Sequence, residues 1–290
     1  MLVTWRYRER KSLVQSFDPR ARLVFYACFL GSTLLFWDLR YLAFFLAIAL
    51  FTVFTSGVTW KESRRAWLFI GGFILFFGGL TFLTGRGGIE LYTEENLLLR
   101  LTAPFSIFGW RPAIDVTAER IMFSLGQVTR ILGIAGMTIL IPYTINPAQY
   151  GIAFRGLGLP DKIAYAMDLT MRFIPSFGRD FQMTMDAQRA RGYELEKLRG
   201  GLFAQVRKLA PLMVPVTIHA LVSSEDIIDA MDLRAFGVGP RTWLDVLERD
   251  FKDRALIWFG VAILVGSLLL GILGYGNFWV PEALLQLAGS

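Results

Sequence analysis

The chain has 290 residues, of which 54% are hydrophobic, 14% aromatic and only 19% charged, with a formal net charge of +6. A mean hydropathy of +0.47 is too apolar for a soluble domain of this size or for a disordered chain, so part of the surface must face lipid. One cysteine and one histidine exclude a disulfide framework and nearly exclude a tetrahedral protein zinc site.

Long apolar runs predict five membrane helices: Leu23 to Trp37, Tyr41 to Val58, Ala66 to Thr84, Ile121 to Tyr143 and Ala255 to Gly274. At 1.5 Å per residue they reach about 22 to 35 Å, so all but the short first one can cross a ~30 Å core. Arg22 and Asp38 flank the first run and are expected to reach toward the interfaces. The third run ends at the breaker Gly85-Arg86-Gly87-Gly88, and the fourth holds Arg130. That arginine reads as part of a transport path or as a snorkelling side chain. Snorkelling is favoured, because the outer end of the span is near. In the last run, Ala262-x-x-x-Gly266 and Ser267-x-x-x-Gly271 are small-residue pairs that permit close helix packing.

Positive charge sets the expected orientation. The segment before the first run holds six Lys and Arg, the next loop one (Arg40), and the one after it three (Lys61, Arg64, Arg65). This alternation predicts a cytoplasmic N-terminus, and five spans then put the C-terminus outside. A nucleic-acid role for the basic N-terminus, with Trp5 and Tyr7 among its arginines, is less economical than a topology determinant touching anionic lipid. The first apolar run follows a basic stretch without a small-residue cleavage site, so no cleavable signal peptide is expected and the protein is assigned to an inner or plasma membrane.

The chain therefore divides into an N-terminal membrane region (1–143, with an extracellular link at 85–119), a cytoplasmic region (144–254) and a last span with its tail (255–290). The cytoplasmic region carries fifteen Lys and Arg and is too long for a structureless loop. From Asp161 to Arg191, Ile163, Ala166, Met167, Thr170, Phe173, Ile174, Phe177 and Phe181 recur at helical spacing. Pro160 suits the start of that helix and Gly192 its stop, while Pro175 is expected to kink or interrupt it. A second helical stretch runs from Leu202 to Gly237, and Pro211 and Pro215 are expected to break it into pieces. The lone His219 in it is read as structural. The fold class is all-α: a polytopic membrane protein with about five spans and long cytoplasmic amphipathic helices.

Both amphipathic stretches end alike, in Asp186-Ala-Gln-Arg-Ala-Arg191-Gly-Tyr193 and Asp229-Ala-Met-Asp-Leu-Arg234-Ala-Phe236. Each has acidic residues in its last turns, then an arginine, a small residue and an aromatic. An arginine there is favourable against the helix dipole by about 0.3–1 kcal/mol, which is the plain reading. The sharper one is a pair of helix tips, each offering an arginine to a partner.

Four stretches stand out together: Phe17-Asp-Pro-Arg-Ala-Arg-Leu23; Tyr143-Thr-Ile-Asn-Pro147 with Gly156-Leu-Gly-Leu-Pro160; Arg172-Phe-Ile-Pro175 running into Ala187-Gln-Arg-Ala-Arg-Gly192; and Ala230-Met-Asp-Leu-Arg-Ala-Phe-Gly237 followed by Arg241-Thr242. They resemble the transmembrane T component of energy-coupling factor transporters, the family that includes the cobalt-type permease subunit. The resemblance implies a non-catalytic subunit that links two ABC-type ATPases to a small membrane-embedded S component taking up a vitamin or transition metal. It implies ATPase contacts at Ala190, Arg191 and Gly192 on the first tip and Asp232, Arg234 and Ala235 on the second, with Arg172 and Pro175 in the packing of the coupling helices. The second tip has Ala235 where the family pattern has glycine, which bears on close backbone packing there. ATP would sit on the partners and this chain would bind no cofactor. The sequence has no Gly-x-x-x-x-Gly-Lys-Ser/Thr loop, no His-Glu-x-x-His and no Gly-x-Ser-x-Gly, in keeping with that reading.

Two other readings stand beside it. A secondary transporter would need acidic or broken-helix sites at mid-membrane and usually repeated halves; these spans hold no central acid, and five do not divide in two. A membrane-anchored regulator binding a soluble partner shares every helix-tip feature, and only the resemblance and the partner's identity separate the two.

Overall fold

The computed structural model describes residues 7–84, 97–102, 113–193, 202–239 and 250–282, with Thr242 and Leu247. Trp5, Arg6, the Gly85–Gly88 breaker, parts 85–96 and 103–112 of the long link, Arg241 and the tail beyond 282 lie outside the described residues. The helices are α1 Pro19–Leu35, α2 Leu39–Thr55, α3 Trp60–Thr84, α4 Ala118–Thr144, α5 Tyr150–Gly156, α6 Asp161–Ala190, α7 Leu202–Leu233 and α8 Phe251–Ile272. The polytopic helical class is as expected, with one addition inside the long link. There β1 Leu97–Thr102 pairs antiparallel with β2 Ala113–Thr117, with an irregularity between Leu97 and Leu99. Contacts divide the chain into two units, one of Arg8–Ile145 with Arg249–Ser290 and the other of Met1–Tyr7 with Asn146–Glu248.

In the first unit α1 packs most extensively on α8, and α2 on α4, with α3 also against α4. Phe25, Tyr26, Phe29, Phe36, Phe45, Ala49, Met137 and Leu140 form the buried core. Glycines set the approach of α4 to α2: a Cβ at Gly126, Gly133 or Gly136 would already touch Leu42, Leu46 or Ala49 at 3.6–3.8 Å. In lipid, where apolar burial gives little drive, such close approach supplies the packing that holds helices together. The expected contacts of the last span are corrected in their phase. Ala262 is exposed, and nothing lies within 4 Å of a Cβ at Gly266 or Gly271. Of the four expected residues only Ser267 is buried, and the close approach is at Gly260, whose Cβ would sit 3.2 Å from Phe25 Cα. The sequence shows the small residues but not the rotation of the helix that selects among them.

Both helices α1 and α2 are 17 residues long, about 25 Å at 1.5 Å per residue. The reason is capping. Asp18 ends the chain before α1, its carboxylate accepting from Arg20 N at 2.7 Å, and Pro19 follows at the first helical position. Asp38 does the same for α2, accepting from Arg40 N at 2.9 Å and pairing with the Arg40 guanidinium at 2.7 Å. Arg22 and Asp38 are therefore both held by partners within the protein. Arg22 is buried, and its Nη1 donates to Thr144 O at 2.7 Å, supplying a donor to a carbonyl at the end of α4 that has no partner along the helix.

Arg130 is likewise corrected from a snorkelling residue. It is 8% exposed, one guanidinium nitrogen donates to Phe36 O just past the end of α1, and the other donates to Gln127 Oε1 at 3.1 Å. Its guanidinium carbon stands 4.2 Å from the centre of the Trp37 ring. A charge inside a span is tolerated when it is paired and stacked in this way.

The ends of the bundle are stitched by charge. Arg8 and Arg10 pair with Glu62 at 3.3 and 2.7 Å, Arg10 donates to Gly57 O, and the Tyr143 hydroxyl donates to Glu62 O. The stretch before α1, the α2–α3 connection and the end of α4 thus share one end of this unit. Asp253 closes a capping box with Asp250 at the start of α8 and also accepts from Asp18 N at 2.7 Å, tying the starts of α8 and α1 together. On α3, Leu68, Phe69, Leu75 and Phe76 are exposed, an apolar face suited to lipid.

Among the described residues, four helical stretches are long and apolar enough to cross a membrane: Trp60–Phe82, Ala118–Thr144, Phe251–Ile272 and also Pro211–Leu233 of α7. The last carries Glu225, Asp226, Asp229 and Asp232 in its final turns. If α7 spanned a bilayer, these four carboxylates would have to stand at its interface, because a charge nearer the centre of a span is costly.

Candidate functional site

The second unit is built on α5, α6 and α7, and α6 packs against both of the others. The α5–α6 contact is very close: a Cβ at Gly151 would lie 2.7 Å from Ala164 O and from Asp168 Cβ, so no larger residue fits. Arg155 Nε and Asp161 Oδ1, 2.5 Å apart, bridge the end of α5 to the start of α6.

The prolines do not divide these helices. The helix α6 runs unbroken through Pro175, and α7 runs unbroken through Pro211 and Pro215, which corrects the expected pieces. Each proline removes one N–H, and the bonds on either side carry the helix across. Pro215 leaves Pro211 O, four residues back, without its helical donor. That carbonyl accepts instead from Gln188 Nε2 of α6 at 3.3 Å.

Three contacts give the α6–α7 register: Gln188 with Pro211, Asp180 Oδ2 with His219 Nε2 at 3.9 Å, and Tyr165 with Phe236, ring centres 4.5 Å apart. Residue numbers rise on one helix as they fall on the other, so the two run antiparallel. The expected site residues are therefore not brought together. Ala190, Arg191 and Gly192 lie at one end of the pair and Asp232, Arg234 and Ala235 at the other. From Tyr165, beside Phe236, to Arg191 the path along α6 is roughly 40 Å. Arg172 is exposed on α6 and Pro175 is half-buried.

The two ends have the same backbone. At the first, Gly192 N donates to Arg189 O and Tyr193 N to Gln188 O, both at 2.9 Å. At the second, Ala235 N donates to Asp232 O at 2.9 Å and Phe236 N to Met231 O at 3.0 Å. This is the Schellman pattern, which needs a left-handed residue just past the helix. Gly192 supplies it with φ +82°, and Ala235 takes it with φ +51°, the one such non-glycine residue among the described residues. The alanine thus adopts the glycine conformation, and each arginine occupies the capping position before it. Arg191 and Arg234 are both exposed, and Arg189 pairs with Asp186 at 3.5 Å beside the first.

Sequence reasoning missed Gln188, Tyr165 and Gly151. The orphan carbonyl behind Pro215 is legible in sequence, but not which side chain fills it.

Comparison with known proteins agrees with this architecture. The cobalt transport protein family (CbiQ) matches residues 10–242. The energy-coupling factor transporter transmembrane protein EcfT of Lacticaseibacillus paracasei is 25% identical over 283 residues, covering 93% of this chain and 98% of that one. The EcfT of Lactobacillus helveticus is 27% identical, covering 93% of each chain. That of Exiguobacterium sibiricum is 28% identical over 193 residues, covering 63% of this chain and 68% of its own. With a match over most of its length and helices able to span a bilayer, the chain belongs to the CbiQ family and is a transmembrane T component of energy-coupling factor transporters.

Proposed function

We propose that this subunit couples two ABC-type ATPases to a membrane-embedded S component that captures a vitamin or a transition metal. The two arginine-bearing ends of the α6–α7 pair serve as the ATPase contacts, Arg191 toward one and Arg234 toward the other. Ala190 and Gly192 allow a close fit at the first end, and Asp232 and Ala235 frame the second. Region 144–254 lies in the cytoplasm, the N-terminus is cytoplasmic, and the membrane is the inner or plasma membrane. ATP is bound and hydrolysed on the partners, and cargo is chosen by the S component; this chain performs no chemistry and carries no cofactor.

The observation that carries the reading is the repeated tip: two exposed arginines, each capping a helix with the same Schellman backbone, at opposite ends of one antiparallel pair. Closure of two ATPases that grip those ends would change the attitude of both helices together. Affinity purification of the full protein from its native membrane, compared with an Arg191→Glu plus Arg234→Glu variant, tests it. ATPases and a small apolar membrane protein should accompany the wild type, and the ATPases should be lost from the variant. ATPases bound equally to both forms would remove the arginines from this role, and none bound to the wild type would favour a regulator.

A further inference from the structure

The first tip is held to α7 by a hydrogen bond to a carbonyl that a proline leaves without its helical donor. Pro215 has no N–H, so Pro211 O lacks its helical donor. Gln188, three residues before Arg191, reaches across from α6 and donates to that carbonyl at 3.3 Å. Gln188 also lies inside the tip itself, because its own carbonyl accepts the Tyr193 N–H that closes the Schellman turn. One residue thus joins the capping turn behind Arg191 to the proline-marked middle of α7. At the opposite end the Tyr165–Phe236 ring contact plays the matching part for Arg234.

We propose that Gln188 is a positioning residue: its side-chain amide latches the Arg191 tip to the carbonyl that Pro215 exposes, so that a movement of one tip is passed to the other helix instead of being lost in fraying. The proposal rests on the coupling function above for its consequence, but the latch is a property of this chain and is measured on it alone. The latch requires a donor on residue 188, and Pro215 keeps a helical N–H from competing with it for the carbonyl. Gln188→Glu keeps the shape and removes the donor, whereas Gln188→Lys keeps a donor of similar reach. Pro215→Ala restores the helical N–H and occupies Pro211 O from within α7.

The test uses the full chain in lipid nanodiscs with spin labels at Asp186→Cys and Asp229→Cys, both exposed positions; Cys28 is buried and stays in place. The labels should stand roughly 25 Å apart, the path along α7 from Pro211 to Asp229. A narrow distance distribution is expected for the parent and for Gln188→Lys, and a broad one for Gln188→Glu and for Pro215→Ala. The Gln188→Glu/Pro215→Ala double variant should be no broader than either single one, since both remove the same bond. In the purified transporter complex, cargo taken up per ATP hydrolysed should fall about threefold to tenfold in Gln188→Glu and stay near the parent in Gln188→Lys, the range that loss of one hydrogen bond supports. Equal distributions in Gln188→Glu and the parent would overturn the latch, even with the ATPases still bound at the tips. Additive broadening in the double variant would overturn it too, showing that the glutamine and the proline act separately. A parent chain that captures no ATPase would instead count against the coupling function and leave the distance result to decide the latch.

Discussion

At their left-handed position the two tips differ by one methyl group, and this gives a signed prediction. Ala235 holds φ +51° and Gly192 φ +82° in the same hydrogen-bonded turn. A left-handed conformation costs a Cβ-bearing residue about 1–2 kcal/mol. Removing the methyl also frees the frayed state, which offsets about 0.4–1 kcal/mol of the relief. The net gain for Ala235→Gly is then about 0.5–1 kcal/mol, or about two- to fivefold in the closing equilibrium of the tip. At Gly192 a Cβ would meet nothing within 4 Å, so backbone strain alone decides, and Gly192→Ala should lose a similar amount. Amide hydrogen exchange of the full chain in nanodiscs reads both. Protection of Phe236 N–H, bonded to Met231 O, should rise in Ala235→Gly, and that of Tyr193 N–H, bonded to Gln188 O, should fall in Gly192→Ala. A fall at Phe236 in Ala235→Gly would refute the reasoning, because it would mean that the alanine is not strained.

Gly151→Leu places atoms where Ala164 O and Asp168 Cβ already stand 2.7 Å from a bare Cβ; overpacking of this kind costs about 1–3 kcal/mol, and the thermal unfolding midpoint of the detergent-solubilised protein should drop. Arg130→Met takes a donor from Phe36 O, with a loss of about 1–3 kcal/mol; uptake in proteoliposomes should fall only in proportion to folded protein, and a selective loss of transport at full folding would restore the transport-path reading. Asp253→Ala removes the acceptor for both Asp18 N and Asp250 N at about 0.5–1.5 kcal/mol per bond, and exchange at the starts of α1 and α8 should quicken together.

The spans and the repeated tips were legible because they are one-dimensional signals. Apolar runs mark α3, α4 and α8, and an arginine followed by a glycine marks a helix end. What could not be read depends on what a residue faces. Arg22 and Arg130 resemble snorkelling residues in sequence, yet each supplies a donor to carbonyls at or near a helix end. The choice of Gly260 over Gly266 as the contact of α8 is a question of helix rotation. Pro211 and Pro215 were expected to break α7, and the helix continues, one freed carbonyl being taken by a residue of another helix. Alanine at 235 disfavours the conformation it adopts, so its sequence could not announce the second Schellman turn. The β1–β2 ribbon lies in a segment read only as a link.

The central claim is that the two helix ends are where the ATPases are gripped. Photo-reactive residues placed singly at Ala190 and at Leu233, each adjacent to a tip arginine, and at Leu75 on the exposed face of α3 test it in the native membrane. Irradiation should join an ATPase subunit to the chain from Ala190 and from Leu233, and none from Leu75. Failure of both tips to capture an ATPase, or equal capture from Leu75, would contradict the account.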